Sequence, residues 1–440
     1  MPSSVLRNFH FSRRICKNFF EPDKTLKGLC FSGRLFEAVE ILCRKGSPVN
    51  PQTYAFLLQE CINLKDFKLG RRIHAQMIIV GFAIDEYLRT KLVILYAKKG
   101  DLETAHRLLA KIPERNLVSW NAMISGYVQK GLEEEGLNLY HGMRRVGLKP
   151  DQFTFASVFR ACAGLATLEE GKQAHGVMIK TQIKGNIVVN SALVDMYFKC
   201  SSPDDGRRIF DKSSERNVVM WTALISGYGQ HGCVEEVLGL FHRMIDEGFR
   251  PNYITFLAVL SACSHGGLIT EGQMYFSSMT RDFKIKPSGE HYAAMVDLLG
   301  RAGRLDEAYD LVWKSPCKQH AVIWGALLGA CRVHGDIELA KITAKRFFEL
   351  EPENAGKYVV LSNAFAGFGL WENVAVVREM MKQSGMSKEP GCSWIEVQRE
   401  VHTFFVGDKS HEQTEQIYEM IRELACILKE EGYVLDIKSG

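Results

Sequence analysis

The chain has 440 residues, 46% of them hydrophobic, with 55 Lys and Arg set against 51 Asp and Glu. So even a balance disfavours a broadly basic nucleic-acid coat, and any nucleic-acid site has to be local. The 12 cysteines include no C-x-x-C pair, which disfavours a zinc ribbon or a thioredoxin-type centre and leaves reduced, mostly buried thiols; no run of about 20 apolar residues is present, so no membrane span is expected.

Residues 1–20, MPSSVLRNFHFSRRICKNFF, carry Arg7, Arg13, Arg14 and Lys17 and no acidic residue before Glu21. On a helical wheel Val5, Leu6, Phe9, Ile15, Cys16, Phe19 and Phe20 gather on one side with the basic residues beside them, the composition of an organelle transit peptide. An irregular basic tail is the alternative reading of the same residues.

Beyond this segment the length alone suggests about three domains, but the sequence repeats. Residues 117–151 match 218–252 without a gap at 17 of 35 positions. The same offset of 101 residues carries PQTYAFLLQEC (from 51) onto QFTFASVFRAC (from 152) and YITFLAVLSAC (from 253), and 86–116, ending PERN, onto 187–217, ending SERN. Three related units of 35, 31 and 35 residues in fixed order are the signature of a repeat architecture. Inside 117–151, Trp120, Met123, Ile124 and Tyr127 recur at helical spacing, Gly131 breaks the pattern, and Leu137, Leu139, Tyr140 and Met143 resume it before Gly147 and Pro150. Each unit is thus a helical hairpin too small to bury itself, so neighbours must stack. The expected fold is all-α, a superhelical solenoid of tetratricopeptide-like helix-turn-helix repeats.

VSWNAMISGY...GLKPD, TFASVFRACAGLATLEEGKQAHGVMI and NSALVDMYFKC...ERN resemble plant pentatricopeptide repeat proteins of the PLS class, over nearly the whole chain. The resemblance implies an array over 19–320, with units at about 19–50, 51–85, 86–116, 117–151, 152–186, 187–217, 218–252, 253–288 and 289–320. Extension (E) motifs are implied over 321–388, and an E+ motif, the truncated start of a DYW-type domain, over 389–440.

In that family each repeat faces one RNA base, read by its fifth and last residues. Carried onto this chain, the implied pairs are Asn121 with Asp151 for U, and Thr222 with Asn252, Thr90 with Asn116 and Ser191 with Asn217 for A. The pairs Ala55 with Asp85 and Ala156 with Asn186 lack a polar fifth residue and discriminate poorly. Val118, Val188 and Val219, second in their units, would sandwich the bases. Chemically, a carboxylate only accepts, which suits the N3–H of uracil or the N1–H of guanine, whereas Asn both donates and accepts, which suits adenine or cytosine. Helix capping is the competing role for the same side chains.

Other features are weaker. Gly227–Gly232 satisfies G-x-G-x-x-G but closes a helix instead of opening one, so it reads as a hairpin turn. Trp120, Trp221 and Trp324 read as core. Arg71, Arg72, Arg207 and Arg208 suit either phosphate contacts or solvated helix faces. The family's deaminase uses an H-x-E...C-x-x-C zinc site; His411-Glu412 has the wrong spacing and Cys426 has no nearby cysteine. No catalytic residue, metal or cofactor is therefore expected, and the implied role is site recognition for C-to-U editing. The implied partners are single-stranded organellar RNA, a DYW-type deaminase in trans and multiple organellar RNA editing factors, in the mitochondrion or, alternatively, the chloroplast. A protein-binding helical scaffold, an RNA processing or stability factor without an editing role, and an editing enzyme with a longer C-terminus remain alternatives.

Overall fold

A computed structural model describes residues 22–113, 115–183, 185–350, 355–386, 391–397 and 400–430; the transit-peptide expectation for 1–20 lies outside them. The described residues form 23 helices and one two-stranded hairpin. The chain divides into two compact units, residues up to 166 with 171–196, and 197–440 with 167–170.

The first unit contains α1 (Pro22–Phe31), α2 (Leu35–Lys45), α3 (Pro51–Asn63), α4 (Phe67–Ile79), α5 (Glu86–Lys99), α6 (Leu102–Ala110), α7 (Leu117–Gln129), α8 (Glu133–Arg145) and α9 (Gln152–Leu165). Helices α10 (Leu168–Lys180) and α11 (Ile187–Lys199) carry residues of both units. The second unit continues with α12 (Pro203–Lys212), α13 (Val218–Gln230), α14 (Val234–Asp246), α15 (Tyr253–Gly266), α16 (Ile269–Arg281), α17 (Gly289–Arg301), α18 (Leu305–Lys314), α19 (Ala321–His334), α20 (Ile337–Leu350), α21 (Ala355–Gly367) and α22 (Trp371–Gln383). It ends with the antiparallel strands β1 (Cys392–Val397) and β2 (Glu400–Phe405) and with α23 (Thr414–Glu430). The strand pair is the one described departure from an all-helical chain.

The hairpin α7–α8 shows why the units fold as they do. Asn116 caps α7, accepting the Ser119 amide at 2.9 Å, which satisfies a donor that the first helical turn cannot use internally. Gly131 turns the chain at φ 73°, a left-handed conformation that costs glycine little. Helix α8 opens on Glu133, Glu134 and Glu135 and ends on Arg144 and Arg145, complementing the helix dipole at both ends. Trp120, Met123 and Ile124 are buried on α7, as are Leu137, Tyr140 and Met143 on α8. Burying such side chains stabilises by about 1.5–3 kcal/mol each.

Stacking follows because a hairpin has two apolar flanks. In the first unit α3 packs on α5, α5 on α7 and α7 on α9; in the second, α13 packs on α15, α15 on α17 and α17 on α19. Each unit is therefore a row of first helices backed by second helices, the architecture of an α-solenoid. Trp120, Trp221 and Trp324 lie in this core. Burial also pushes the Cys61 thiol up to about 12 and those of Cys263 and Cys331 up to about 11, so at neutral pH these sulfurs act as small apolar groups.

Successive first helices approach closely at Gly300 of α17, where an added Cβ would lie 2.4 Å from the Cβ of Ala330 on α19. Neither atom can swing away, because both sit directly on a helix backbone. Gly300→Ala should therefore lower stability by about 1–3 kcal/mol, the usual cost of overpacking. Thermal melting followed by circular dichroism checks this, and an unchanged melting curve would contradict the close contact.

Candidate nucleic-acid interface

Fifth and last residues meet at the start of the following first helix in Asn121 with Asp151 and Thr90 with Asn116, where the helix caps hold the last residues. Asp85, Asn116, Asp151, Asn186, Asn217 and Asn252 each accept a backbone amide of the following helix through Oδ1, at 2.8 to 3.0 Å. Capping and presentation at the surface are thus properties of one side chain. The cap consumes Oδ1, so what remains outward differs by residue type. Asp151 keeps Oδ2, an acceptor, while Asn217 and Asn252 keep Nδ2, a donor. The Asn oxygen thus already accepts one helix amide.

Four pairs are described in the first unit. Asn121 donates from Nδ2 to Asp151 Oδ1 at 2.9 Å. Asn116 donates from Nδ2 to Thr90 Oγ1 at 3.4 Å, the long end of the hydrogen-bond range. Ala55 and Ala156 are buried. Asn186 turns its Nδ2 to Gln152 Oε1 at 2.7 Å, and Asp85 is exposed. In the second unit Thr222 lies close to the Asn252 cap through Thr255, whose hydroxyl is 2.9 Å from that of Thr222. Ser191 belongs to the first unit and Asn217 to the second.

All three hydroxyl residues at the fifth position are buried, and each donates its proton to the carbonyl four residues back. Thr90 bonds Glu86, Ser191 bonds Ile187 and Thr222 bonds Val218, at 2.9, 2.5 and 2.7 Å. This back-bonding within a helix leaves the oxygen only as an acceptor, a point that sequence reasoning about hydroxyls did not reach.

Val118, Val188 and Val219 are about half exposed, at 55, 48 and 59%. Tyr87, Phe153 and Ile254 occupy the corresponding second places of their units and are equally unburied. Sequence reasoning missed these three, although the repeat spacing that selected the valines selects them too. A large apolar side chain left in solvent once per unit is an unsatisfied surface suited to a flat ring.

The arginines resolve differently. Arg72 pairs with Glu40 at 2.5 Å, Arg207 with Asp211 at 2.8 Å and Arg208 with Asp205 at 3.2 Å, so three of the four named cations already have partners on helix faces. Among the described residues no group of three or more His, Cys, Asp or Glu gathers around a point that could hold a metal ion. No described helix is long and apolar enough to cross a membrane.

Stacked hairpins with a capped, polar first-helix edge define an α-solenoid repeat protein. Family models match accordingly: the PPR repeat family at residues 115–164 and 216–265, a PPR repeat at 290–314, the E motif at 334–396 and the E+ motif at 401–425. The pentatricopeptide repeat-containing protein At4g16470 of Arabidopsis thaliana is 58% identical over 94% of this chain and 83% of its own length. The chain belongs to the pentatricopeptide repeat family. The chloroplastic At1g11290 protein and the putative mitochondrial At3g13770 protein of the same plant are 42% and 40% identical over 86% and 90% of this chain. Of these two the chain spans 47% and 64%. Among solved structures, PPR10 in complex with an 18-nt psaJ RNA element matches with a TM-score of 0.66 at 16% identity, covering 86% of this chain and 57% of that one. At that identity the likeness shows the fold.

The cap geometry predicts a separation of stability from side-chain chemistry at the last position. Asp151→Asn should leave the melting temperature nearly unchanged, because Asn caps as well as Asp, whereas Asp151→Ala should cost about 1 kcal/mol. Denaturant titration of the two variants reads the difference, and equal losses would contradict a capping role for Oδ1.

Proposed function

We propose that the chain is a sequence-specific single-stranded RNA-binding factor of organellar RNA processing. Its task is to mark a site for C-to-U editing, with a deaminase acting in trans. The observation that carries the reading is the division of labour at the caps: Oδ1 holds the helix, and the remaining atom is an acceptor in Asp and a donor in Asn.

The edges of the bases fit this division. Uracil presents N3–H between two carbonyls, so Asp151 Oδ2 accepts from N3 and the second hydrogen on Asn121 Nδ2 donates to a carbonyl oxygen. Adenine presents N1 as an acceptor beside an amino group, so Asn252 Nδ2 donates to N1 and the free lone pair on Thr222 Oγ1 accepts from the amino group. Thr90 with Asn116 carries the same complement. The exposed second-place residues supply apolar contact to the ring faces, a sequence-tolerant contribution of about 1–3 kcal/mol for an aromatic under a base.

PPR10, which shares the fold, was crystallised in complex with an 18-nt psaJ RNA element, and E and E+ motifs follow the repeats in this chain. Relatives named chloroplastic or mitochondrial support an organellar site of action, proposed as the mitochondrion with the chloroplast as the alternative; the acid-free, Arg-bearing start fits a transit peptide to either. A peptide-binding scaffold has no use for donors and acceptors repeated in register at the caps.

Read 5′ to 3′ along units 86–320, the expected RNA is A-U-N-A-A-N-N. Selection from a randomised pool should recover adenine and uracil at these places, and selection without base preference would remove the reading. A transcriptome-wide comparison of editing in plants lacking the protein then identifies the cytidine. The sharper check is a swap. Asn121→Thr with Asp151→Asn reproduces the Thr222–Asn252 pair and should turn that unit from U to A, about ten- to hundredfold in relative affinity by analogy with side-chain to base contacts worth 1–3 kcal/mol. Persistent U preference in a folded double variant would leave the residues as caps alone.

A further inference from the structure

The third residue of the following unit touches the fifth residue of the unit before it, and this contact is confined to certain junctions. Thr154, third in 152–186, is buried and lies 2.6 Å from Asn121 Oδ1 and 2.9 Å from Asp151 Oδ1. Its oxygen also accepts the Asp151 backbone N–H at 3.1 Å. Thr255, third in its unit, repeats the arrangement with Thr222 Oγ1 at 2.9 Å and Asn252 Oδ1 at 3.1 Å. Thr222 has already given its proton to Val218, so Thr255 is the donor between the two hydroxyls.

Where the preceding unit has alanine at the fifth place, the third residue is apolar. Leu88 follows the unit with Ala55, and Val189 follows the unit with Ala156; both are fully buried. Ser119 does carry a hydroxyl, but it bonds the Asn116 carbonyl at 2.8 Å, and Thr90 is reached by the Asn116 amide instead. The threonine contact thus accompanies Asn121 and Thr222 specifically.

We infer that Thr154 and Thr255 are positioning residues for base recognition, each setting the orientation of a side chain in the preceding repeat. The inference rests on the base-reading role proposed above. For Asn121 the argument is directional. Thr154 holds Oδ1 from one side while Asp151 holds Nδ2 from the other, so the amide has one orientation, with its second N–H outward. A flipped amide would set its oxygen against the carboxylate, two acceptors facing each other, and would give up the 2.6 Å hydrogen bond from the threonine hydroxyl to Oδ1. Without the Thr154 hydroxyl the amide is held only through Nδ2 at Asp151 and can swing about that one bond. Its outward N–H is then less firmly aimed at the uracil carbonyl, which weakens the preference for uracil over cytosine, whose amino group cannot accept it. For Thr222, loss of the Thr255 proton frees a second lone pair and lets the hydroxyl rotate, broadening the preference for adenine.

The test uses the full chain and the RNA that wild-type protein selects from a randomised single-stranded pool. The nucleotide is located with the Asn121→Thr, Asp151→Asn double variant, and affinities are measured for all four bases there. Thr154→Val, which keeps shape and removes the hydroxyl, should lower the U-to-C preference by about five- to tenfold, the scale of one net hydrogen bond. Thr154→Ser should retain it within about twofold by restoring the same donor. Preference at the nucleotide facing Thr222 and Asn252 should stay at its wild-type value. An unaltered U-to-C ratio in Thr154→Val, with the double variant still switching the base, overturns the positioning role and leaves base reading intact. A wild-type chain without base preference overturns both. Equal loss of preference at every nucleotide, together with a lowered melting temperature, assigns the effect to the fold and also overturns it. Should Thr154→Val not fold, Thr255→Val tests the same relation at the sister junction, where a retained adenine preference is the overturning result.

Discussion

Every first helix in this protein has to begin somewhere that satisfies its free amides, and an Asn or Asp side chain does this at unit after unit. From Asp85 to Asn252 that requirement fixes the last residue of the unit at the rim of the next helix, with Oδ1 turned to the helix amides. The fifth residue, one helical turn into its own unit, lies beside that rim because successive first helices pack against each other. The candidate interface is therefore a by-product of closing helix ends in a stack: the packing supplies the address and the cap supplies the chemistry. Capping and base reading, which compete as explanations of one residue in a bare sequence, are compatible once the two atoms of the side chain are counted separately.

Much of the architecture was legible because repetition amplifies weak signals. One helical stripe such as Trp120, Met123, Ile124 and Tyr127 is an ordinary pattern; its recurrence at an offset of 101 residues turns it into a statement about stacking. The same recurrence placed the polar pairs in register. What the sequence did not disclose was the internal wiring of the pairs. Nothing in the letters says that the hydroxyls of Thr90, Ser191 and Thr222 give their protons to the backbone, or that Asn252 commits its oxygen to a helix. Hydrogen bonding depends on where a lone pair points, and that is settled only when the neighbouring helix is in place.

The exposed second-place residues were only half legible. Val118, Val188 and Val219 stood out through the family resemblance, while Tyr87, Phe153 and Ile254 passed as ordinary hydrophobic residues of a helix. Burial separates them: an apolar side chain that a stacked fold leaves in water is informative, whereas the same letter in a sequence is presumed to be core. The hairpin of β1 and β2 was illegible for another reason. It is short and single, so no periodicity accumulates to announce it.

The cap has a consequence for how such proteins change over generations. Asn and Asp codons differ by a single base, and both residues close a helix equally well, so a lineage can exchange one for the other without passing through an unstable intermediate. Threonine and asparagine at the fifth place are likewise one base apart. The units tolerate these exchanges because the mass of buried Trp, Met and Leu lies elsewhere. A scaffold in which the variable letter is mechanically silent can wander among ligands while its fold stays under strict selection, which makes duplication of the gene followed by retargeting a short path.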